Sequence, residues 1–256
     1  MSDERAVTRI ARAYPDRVEV RGRDLTGDLM GRLTFTEYFH LLVTGEEPTE
    51  EQRYFLDLLL VAIAEHGLVP TNQAARMTLA ADPAALQGAV AAGILGCGTV
   101  VLGTAEACGS FLTDARARVD AEGDGALVAM VAAIRRDGGK LPGFGHPLHK
   151  PVDPRAERIL ALADARGVAG VHCRLARATA PAATEAWGKP LTLNVSMAIA
   201  AVLLDINFPP AMLKAIPILA RTASLLAHLA EERVRPIGFL LAAHAEAAIE
   251  YDGERS

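Results

Sequence analysis

The chain has 256 residues, of which 51 % are apolar, and its formal net charge at pH 7 is −5. This composition allows a sizeable core in one large domain or two smaller ones, and the acidic balance argues against a general binder of nucleic acids or acidic membranes. The N-terminal M-S-D-E-R-A has no signal-peptide character, and the three cysteines show no C-x-x-C spacing. We therefore expect a cytoplasmic protein with reduced thiols.

One strand pattern and a long series of helical patterns follow in chain order. Residues 17–22, R-V-E-V-R-G, alternate with the period of a strand. T-F-T-E from Thr34 and T-E-E-Q from Thr49 are capping boxes, in which the first and fourth residues bond reciprocally at the start of a helix. Helical periods predominate after residue 22, and aromatic residues are only 5 %. The sequence therefore predicts an all-α fold.

An uncharged segment from Pro83 to Ala105 has the length of a membrane span. Five glycines interrupt it, and it has few large apolar side chains, which a membrane span would require. Because glycines let helix backbones approach closely, we expect a core or interface helix here.

A stiff loop, Leu141–Arg155, carries several residues capable of chemistry. Its sequence, L-P-G-F-G-H-P-L-H-K-P-V-D-P-R, contains four prolines and two glycines, which prevent a regular helix. Stiff polar loops on a helical scaffold often hold functional groups, although a plain connector with surface histidines is the alternative. His146 and His149 lack carboxylate or cysteine company, so we do not expect a metal site. His66, at a predicted helix end, either caps that helix or belongs to an anion site.

The loop resembles the signature of the citrate synthase superfamily, in which G-[FY]-G-H is followed nine residues later by the arginine of D-P-R, as from His146 to Arg155. Four further segments resemble superfamily elements in the same order: E-H-G-x-x-P-T at His66, L-N-V-S at Ser196, L-A-R-T-A-S-L-L-A-H at Arg221 and E-R-V-R-P-I-G at Arg235. The short length and the R-V-R-P-I-G-F ending look most like stand-alone citryl-CoA lyases and the lyase module of ATP-citrate lyase.

The resemblance implies a two-domain helical subunit that forms an obligate homodimer, or a higher oligomer, with shared active sites. Residues 1–110 and 200–256 would form the large, dimerising domain, and residues 111–199 the small one. The implied reaction joins or separates a coenzyme A thioester and a 2-oxo acid, with citryl-CoA, or a related 3-hydroxy-acyl-CoA, as the compound cleaved. A citrate synthase-type acyltransferase is the alternative direction, and no metal, nucleic acid or membrane is expected to take part.

The same resemblance implies roles for individual residues. His146 would polarise the carbonyl or hydroxyl of the acid. The carboxylates of the acid would be bound by His66, Arg155 and Arg221, and Arg235 would reach across from the second subunit. Arginine suits this role because guanidinium groups pair well with carboxylates. Lys150, Gly143 and Gly145 would bind coenzyme A.

Two positions depart from the family pattern. Glu106 stands where the family has the catalytic histidine of G-P-L-H-G-G-A, and Ser196 stands where it has the aspartate of N-V-D. In one explanation Glu106 is the base, its pKa raised in an apolar pocket, and Ser196 donates to the thioester oxygen. Alternatively, the acyl-CoA substrate differs, or catalysis is lost and the protein is a sensor of a tricarboxylate or coenzyme A. Glu106 could also be a structural helix carboxylate, and a plain helical scaffold dimer is a further alternative.

Overall fold

The computed structural model describes residues 6–98, 102, 104–146 and 148–253. Within these residues a small sheet is followed by α-helices, which confirms the predicted all-α class. The helices are α1 (Phe35–Thr44), α2 (Glu50–Ala64), α3 (Pro70–Ala81), α4 (Leu86–Leu95), α5 (Thr104–Glu122), α6 (Gly125–Arg136), α7 (Pro154–Ala165), α8 (Val171–Trp187), α9 (Val195–Asp205), α10 (Ala215–Val234) and α11 (Gly238–Ala248).

The N-terminal sheet has three antiparallel strands, β1 (Ala11–Ala13), β2 (Val18–Val20) and β3 (Arg23–Asp24), in that order. The predicted strand is confirmed as β2. β1 and β3 have only three and two residues, too few to show an alternating pattern.

Both predicted capping boxes are confirmed. The Thr34 hydroxyl accepts from the Glu37 N–H, and the Glu37 carboxylate accepts from the Thr34 N–H; Thr49 and Gln52 bond in the same way. Each box satisfies amide groups that the first turn of a helix leaves without partners, so these local signals fix where α1 and α2 begin.

Helix α9 is the centre of the main core. Most of its residues are buried, and it packs against α2, α5, α7 and α8. Phe55, Leu112, Ile159 and Ile199 belong to this cluster. A second, smaller cluster joins α3, α4 and α10. The end of α2, the start of α9 and the middle of α10 therefore lie around one region between the two clusters.

The predicted domain boundaries lie inside helices. The boundary at 110/111 falls inside α5 and the boundary at 199/200 falls inside α9, and both are continuous helices. The main core also contains residues from both predicted domains, since Phe55 packs in one cluster with Leu127 and Val202. The division into two domains at these positions stays a prediction.

The uncharged segment at 83–105 does not form one helix, because α4 ends at Leu95 and α5 begins at Thr104. Among the described residues, one helical stretch, Pro210–Val234, is long and apolar enough to cross a membrane. It packs its buried Leu225 and Leu229 against α3 and α4. A core helix passes the same test of length and composition, so this feature is weak evidence for a membrane span.

Asp205, the last residue of α9, fastens α9 to the start of α8. Its carboxylate accepts from the N–H groups of Gly170, His172 and Cys173 and lies 2.8 Å from Nδ1 of His172. Burial alone would raise the pKa of Asp205, but these bonds lower the pKa from 3.8 to about 2. The folded state therefore favours the ionised carboxylate.

We expect Asp205→Asn to lower the free energy of unfolding at neutral pH by about 2 kcal/mol. Because the folded-state pKa is depressed, this contribution is present above about pH 4 and is lost as the pH falls through about 2. The stability difference between wild type and variant should therefore shrink over that range in urea denaturation. Asp164→Asn, at an exposed ion pair with Arg177, is the control and should change stability by less than about 1 kcal/mol. A pH-independent difference for Asp205→Asn would contradict this account.

Candidate active site

A cavity of about 210 Å³ brings together five of the predicted site residues. They come from four helices or their ends and from the stiff loop, and they are His66, His146, Arg155, Ser196 and Arg221. The rest of the lining is largely apolar and includes Ile63, Val69, Ile199 and Pro217. A few polar groups converging in a largely apolar cavity are typical of a small-molecule site.

Arg221 is a buried cation that forms no ion pair with a carboxylate of the described residues. It is 2 % exposed, and its Nη1 donates to Asn72 Oδ1 at 2.8 Å and lies 3.4 Å from Ser224 Oγ. Its Nε has no hydrogen-bond partner among the described residues. Burial lowers the pKa of Arg221, although the charge of Glu65 opposes this effect. Burying an unpaired charge is costly, so this guanidinium is poised to bind an anion.

Arg155, in contrast, already has a partner. The buried Asp153 caps α7 and accepts from the N–H, Nε and Nη2 of Arg155 at 3.0–3.1 Å. It also accepts from the Val195 N–H at 3.0 Å, at the start of α9. Burial would raise the pKa of Asp153, but the bonds and charge of Arg155 hold that pKa below its ordinary value. Asp153 is therefore an ionised anchor and a poor proton acceptor.

The bonds of His146 define which ring nitrogen carries its proton. Nδ1 accepts from the N–H groups of Leu148 and His149 at 3.1 and 2.9 Å, so a neutral ring is protonated on Nε2. Burial, together with the charges of His149, Arg155 and His66, lowers the pKa of His146, with Asp153 opposing, which favours the neutral ring. Nε2 lies 3.4 Å from Nη2 of Arg155. Two donors thus face one small region, an arrangement suited to a carbonyl or alkoxide oxygen.

Glu65 holds the turn that carries His66. One carboxylate oxygen accepts from the N–H groups of His66 and Gly67 at 2.8 and 2.6 Å. The other accepts from Ser224 Oγ at 2.7 Å and lies 3.1 Å from Nε2 of His228. Burial alone would raise the pKa of Glu65, but these bonds lower that pKa to about 2. The turn is thereby tied to α10, the helix that carries Arg221.

Three histidines meet at one side of the cavity. The ring centroid of His146 lies 5.7 Å from that of His66 and 4.4 Å from that of His149, and one ring nitrogen of each lies within 4.8 Å of the others. Nδ1 of His146 is occupied by backbone N–H groups, and its Nε2 faces the guanidinium of Arg155. Neither nitrogen suits a metal ion, which needs a free lone pair and is repelled by a cation. These contacts agree with the expectation that no metal binds here, which stays a prediction.

Ser196 and Glu106 occupy different environments. Ser196, in the first turn of α9, lines the cavity, and its N–H donates to Asn194 Oδ1 at 3.0 Å. Glu106, in the first turn of α5, is exposed, and Thr104 and Ala105 line the cavity in its place. The expectation that Glu106 lies in an apolar pocket is therefore wrong. No carboxylate is among the described residues that line the cavity.

Three further predicted positions, Arg235, Lys150 and Gly145, lie outside this cavity. Arg235 ends α10 with an exposed side chain, so its contact with a second subunit stays a prediction. Lys150 and Gly145 line a neighbouring groove of about 480 Å³ together with Lys189, which sequence reasoning missed. His146 lines both the cavity and the groove, so the two meet at that residue.

Gly143 has a packing role that the sequence did not indicate. It is buried with φ +73°, and a Cβ atom placed on it would lie 2.6 Å from Met197 Cβ and 2.7 Å from Cys108 Sγ. Gly143 is therefore packed against α5 and α9, and its contact with coenzyme A stays a prediction. Gly145, with φ +88°, is exposed at the groove.

Comparison with known proteins identifies the family. The family model described as citrate synthase, C-terminal domain, matches residues 5–237. The chain belongs to the citrate synthase family. Among curated members, "Putative citrate synthase 2" of Mycobacterium tuberculosis is 29 % identical over 198 residues, which are 73 % of this chain and 49 % of that protein. The chain spans about half the length of the curated relatives it matches.

Two solved structures of lyases are similar to this chain over nearly its whole length. Citryl-CoA lyase from Hydrogenobacter thermophilus is 30 % identical with a TM-score of 0.87, and the match covers 98 % of this chain and 96 % of that one. ATP citrate lyase from Methanothrix soehngenii, solved with citrate and coenzyme A, is 19 % identical with a TM-score of 0.80, covering 100 % and 43 %. The predicted resemblance is confirmed.

Asn72 and Glu65, which the sequence analysis did not single out, form hydrogen bonds that hold the cavity residues in place. Asn72, for example, donates to the Gly67 carbonyl at 2.7 Å and accepts from Arg221 at 2.8 Å. Glu65 is the first residue of the E-H-G-x-x-P-T segment and Asn72 directly follows it, so polar residues in or next to the motif were the available signal. Their partners on α10 lie about 150 residues away and leave no local pattern.

The two loop glycines provide a matched test. Alanine at Gly145 meets no atom within 4 Å and should cost only the left-handed backbone strain, about 1 kcal/mol. Alanine at Gly143 should cost a further ~1–3 kcal/mol, because the added methyl overpacks against Met197 and Cys108. Urea denaturation measures both. Equal losses for Gly143→Ala and Gly145→Ala would refute the packing role.

Proposed function

We propose that the protein is an enzyme that breaks or forms a carbon–carbon bond between a coenzyme A thioester and a 2-oxo acid, and that it cleaves citryl-CoA to acetyl-CoA and oxaloacetate. The observation that carries this proposal is the buried Arg221, without a carboxylate partner, in a cavity shared with the converging donors of His146 and Arg155. The similarity to a citryl-CoA lyase along nearly the whole chain supports the cleavage direction.

The charge of the cavity favours an acid. Asp153 offsets the charge of Arg155, and a neutral His146 adds none, so Arg221, which has Glu65 nearby but no direct ion pair among the described residues, is the cation left for a carboxylate. One carboxylate would pair with Arg221, close to His66. A second carboxylate would need a further cation, which Arg235 of the partner subunit would supply in the predicted dimer.

The surface near Arg235 supports that dimer. Val234, Phe239 and Leu240 are 79, 71 and 54 % exposed and lie on either side of the turn between α10 and α11. Exposed apolar side chains grouped in this way are typical of a subunit contact. A second copy seated here would bring Arg235 close to a neighbouring chain.

The proposed chemistry follows from the protonation of the site. When citryl-CoA is cleaved, its hydroxyl loses a proton, the carbon–carbon bond breaks, and the acetyl-CoA enolate takes up a proton. His146 Nε2–H and Arg155 would stabilise the oxygen that becomes the oxaloacetate carbonyl. The His66 ring makes no hydrogen bond among the described residues, so one of its nitrogens could accept the hydroxyl proton. Ser196 would donate to the thioester oxygen.

The groove beside the cavity would hold coenzyme A. Lys150 and Lys189 place two ammonium groups on it, and such groups bind phosphates as point charges. Because the groove meets the cavity at His146, a thioester lying in the groove would reach the acid in the cavity.

A sensor of a tricarboxylate is the second candidate. The exposed Glu106, and a serine in place of the family's aspartate, favour it, since the cavity keeps residues suited to bind an acid while none of its described lining residues is a carboxylate base. Calorimetry with citrate, oxaloacetate and coenzyme A, beside an assay of citryl-CoA cleavage, separates the two candidates. Binding without turnover would identify the sensor, and turnover the enzyme.

Arg221→Met should lower the affinity for citrate or oxaloacetate by about tenfold or more, because it removes a buried, charge-assisted contact. The same variant removes a buried charge but also leaves the buried Asn72 Oδ1 without its Arg221 donor, so the melting temperature should shift by only a few degrees. Titration calorimetry and thermal unfolding measure the two effects.

Arg177→Met is the matched control, since Arg177 forms an exposed ion pair with Asp164 far from the cavity lining. It should leave acid affinity unchanged. Unaltered binding by Arg221→Met, or an equal loss in the control, would remove Arg221 from the acid site.

A further inference from the structure

His228 lies behind the cavity, on α10, two helical turns after Arg221. Its side chain is 13 % exposed, and both ring nitrogens are engaged. Nδ1 lies 3.3 Å from Nη1 of Arg76, and Nε2 lies 3.1 Å from a carboxylate oxygen of Glu65. A guanidinium only donates and a carboxylate only accepts, so Nδ1 is the acceptor and Nε2 carries the proton. The ring is therefore a directional link between two charged groups.

On one side this link ends at the acid cavity. Glu65 binds the N–H groups of His66 and Gly67 with one oxygen, and binds His228 and Ser224 with the other. The orientation of the Glu65 carboxylate therefore sets where the His66 turn lies relative to α10. His228 is one of the two groups on α10 that fix this orientation.

On the other side the link ends at the turn between α10 and α11. Arg76 is 2 % exposed; its Nε donates to Glu232 at 2.7 Å and its Nη2 donates to the Arg235 carbonyl at 3.2 Å. Glu232 also accepts from two N–H groups at the start of α11, at 2.9 and 2.7 Å. Arg76 and Glu232 thus hold the backbone that presents Arg235.

We propose that His228 is a positioning residue for acid binding, which joins Glu65, behind the His66 turn, to Arg76, behind the Arg235 turn. It touches neither the cavity nor the groove. The expected effect on ligand affinity rests on the proposed function, whereas the expected effect on the two turns does not. The ring of His228 thereby helps to position both His66, in the cavity of its own subunit, and Arg235, which would reach the cavity of the partner subunit in the predicted dimer.

His228→Leu breaks both hydrogen bonds, while His228→Gln can keep them, because the amide oxygen can accept from Arg76 and the amide nitrogen can donate to Glu65. We expect His228→Leu to weaken oxaloacetate binding about tenfold and to speed amide hydrogen exchange at residues 65–69 and 235–238. His228→Gln should stay within about threefold of wild type in both measurements. His244→Leu, which removes an exposed histidine from α11, is the control and should change neither.

Hydrogen exchange of the unliganded protein, followed by mass spectrometry, and titration calorimetry with oxaloacetate provide the test. Faster exchange confined to both turns in His228→Leu, with rescue by His228→Gln, supports the proposal. Unchanged exchange at either turn, equal effects of leucine and glutamine, or a uniform increase that includes α6 and α8 overturns it. If the wild type binds no acid, the proposed function fails, and the exchange comparison still decides the role of His228.

Discussion

The bonds of Asp153 are the interaction on which the arrangement of the site depends. Its buried carboxylate caps α7, holds Arg155 by three bonds and binds the Val195 N–H at the start of α9. The starts of two helices and the stiff loop are therefore joined at one group. These bonds fix Arg155 itself and the backbone of Val195, the residue before Ser196. The positions of Arg155 and Ser196 at the cavity therefore depend on the ion pair of Asp153 and Arg155 and not on loop packing alone.

Around this anchor the fold concentrates donors that its own side chains do not satisfy. Arg221 is buried without a carboxylate, and His146 is held as a neutral donor that faces the Arg155 guanidinium. Such groups lower stability in the unliganded protein and are stabilised when an anionic oxygen enters. Ser196 and the exposed Glu106 leave this cavity without a carboxylate among the lining residues that the structure describes.

The sequence predicted the features that depend on local patterns and motifs. Capping boxes located the starts of two helices, and motif spacing selected five residues that converge on one cavity. The predicted apolar environment of Glu106 was wrong because a motif position does not reveal which side of a helix faces the cavity. The burial of Gly143 was not foreseen because its neighbours come from α5 and α9. The network of Glu65, Arg76 and His228 was invisible because its bonds join residues more than 150 positions apart.

In the proposed site, His146 and Arg155 polarise the carbonyl of a bound 2-oxo acid. The most direct test is the carbon-13 chemical shift of oxaloacetate labelled at its keto carbon and bound to the protein. Two donors converging on the carbonyl oxygen should move this resonance downfield of the free acid, and His146→Phe should reduce the displacement. A bound keto carbon whose shift equals that of the free acid would contradict the account, because the acid would then be held without the contact that activates it.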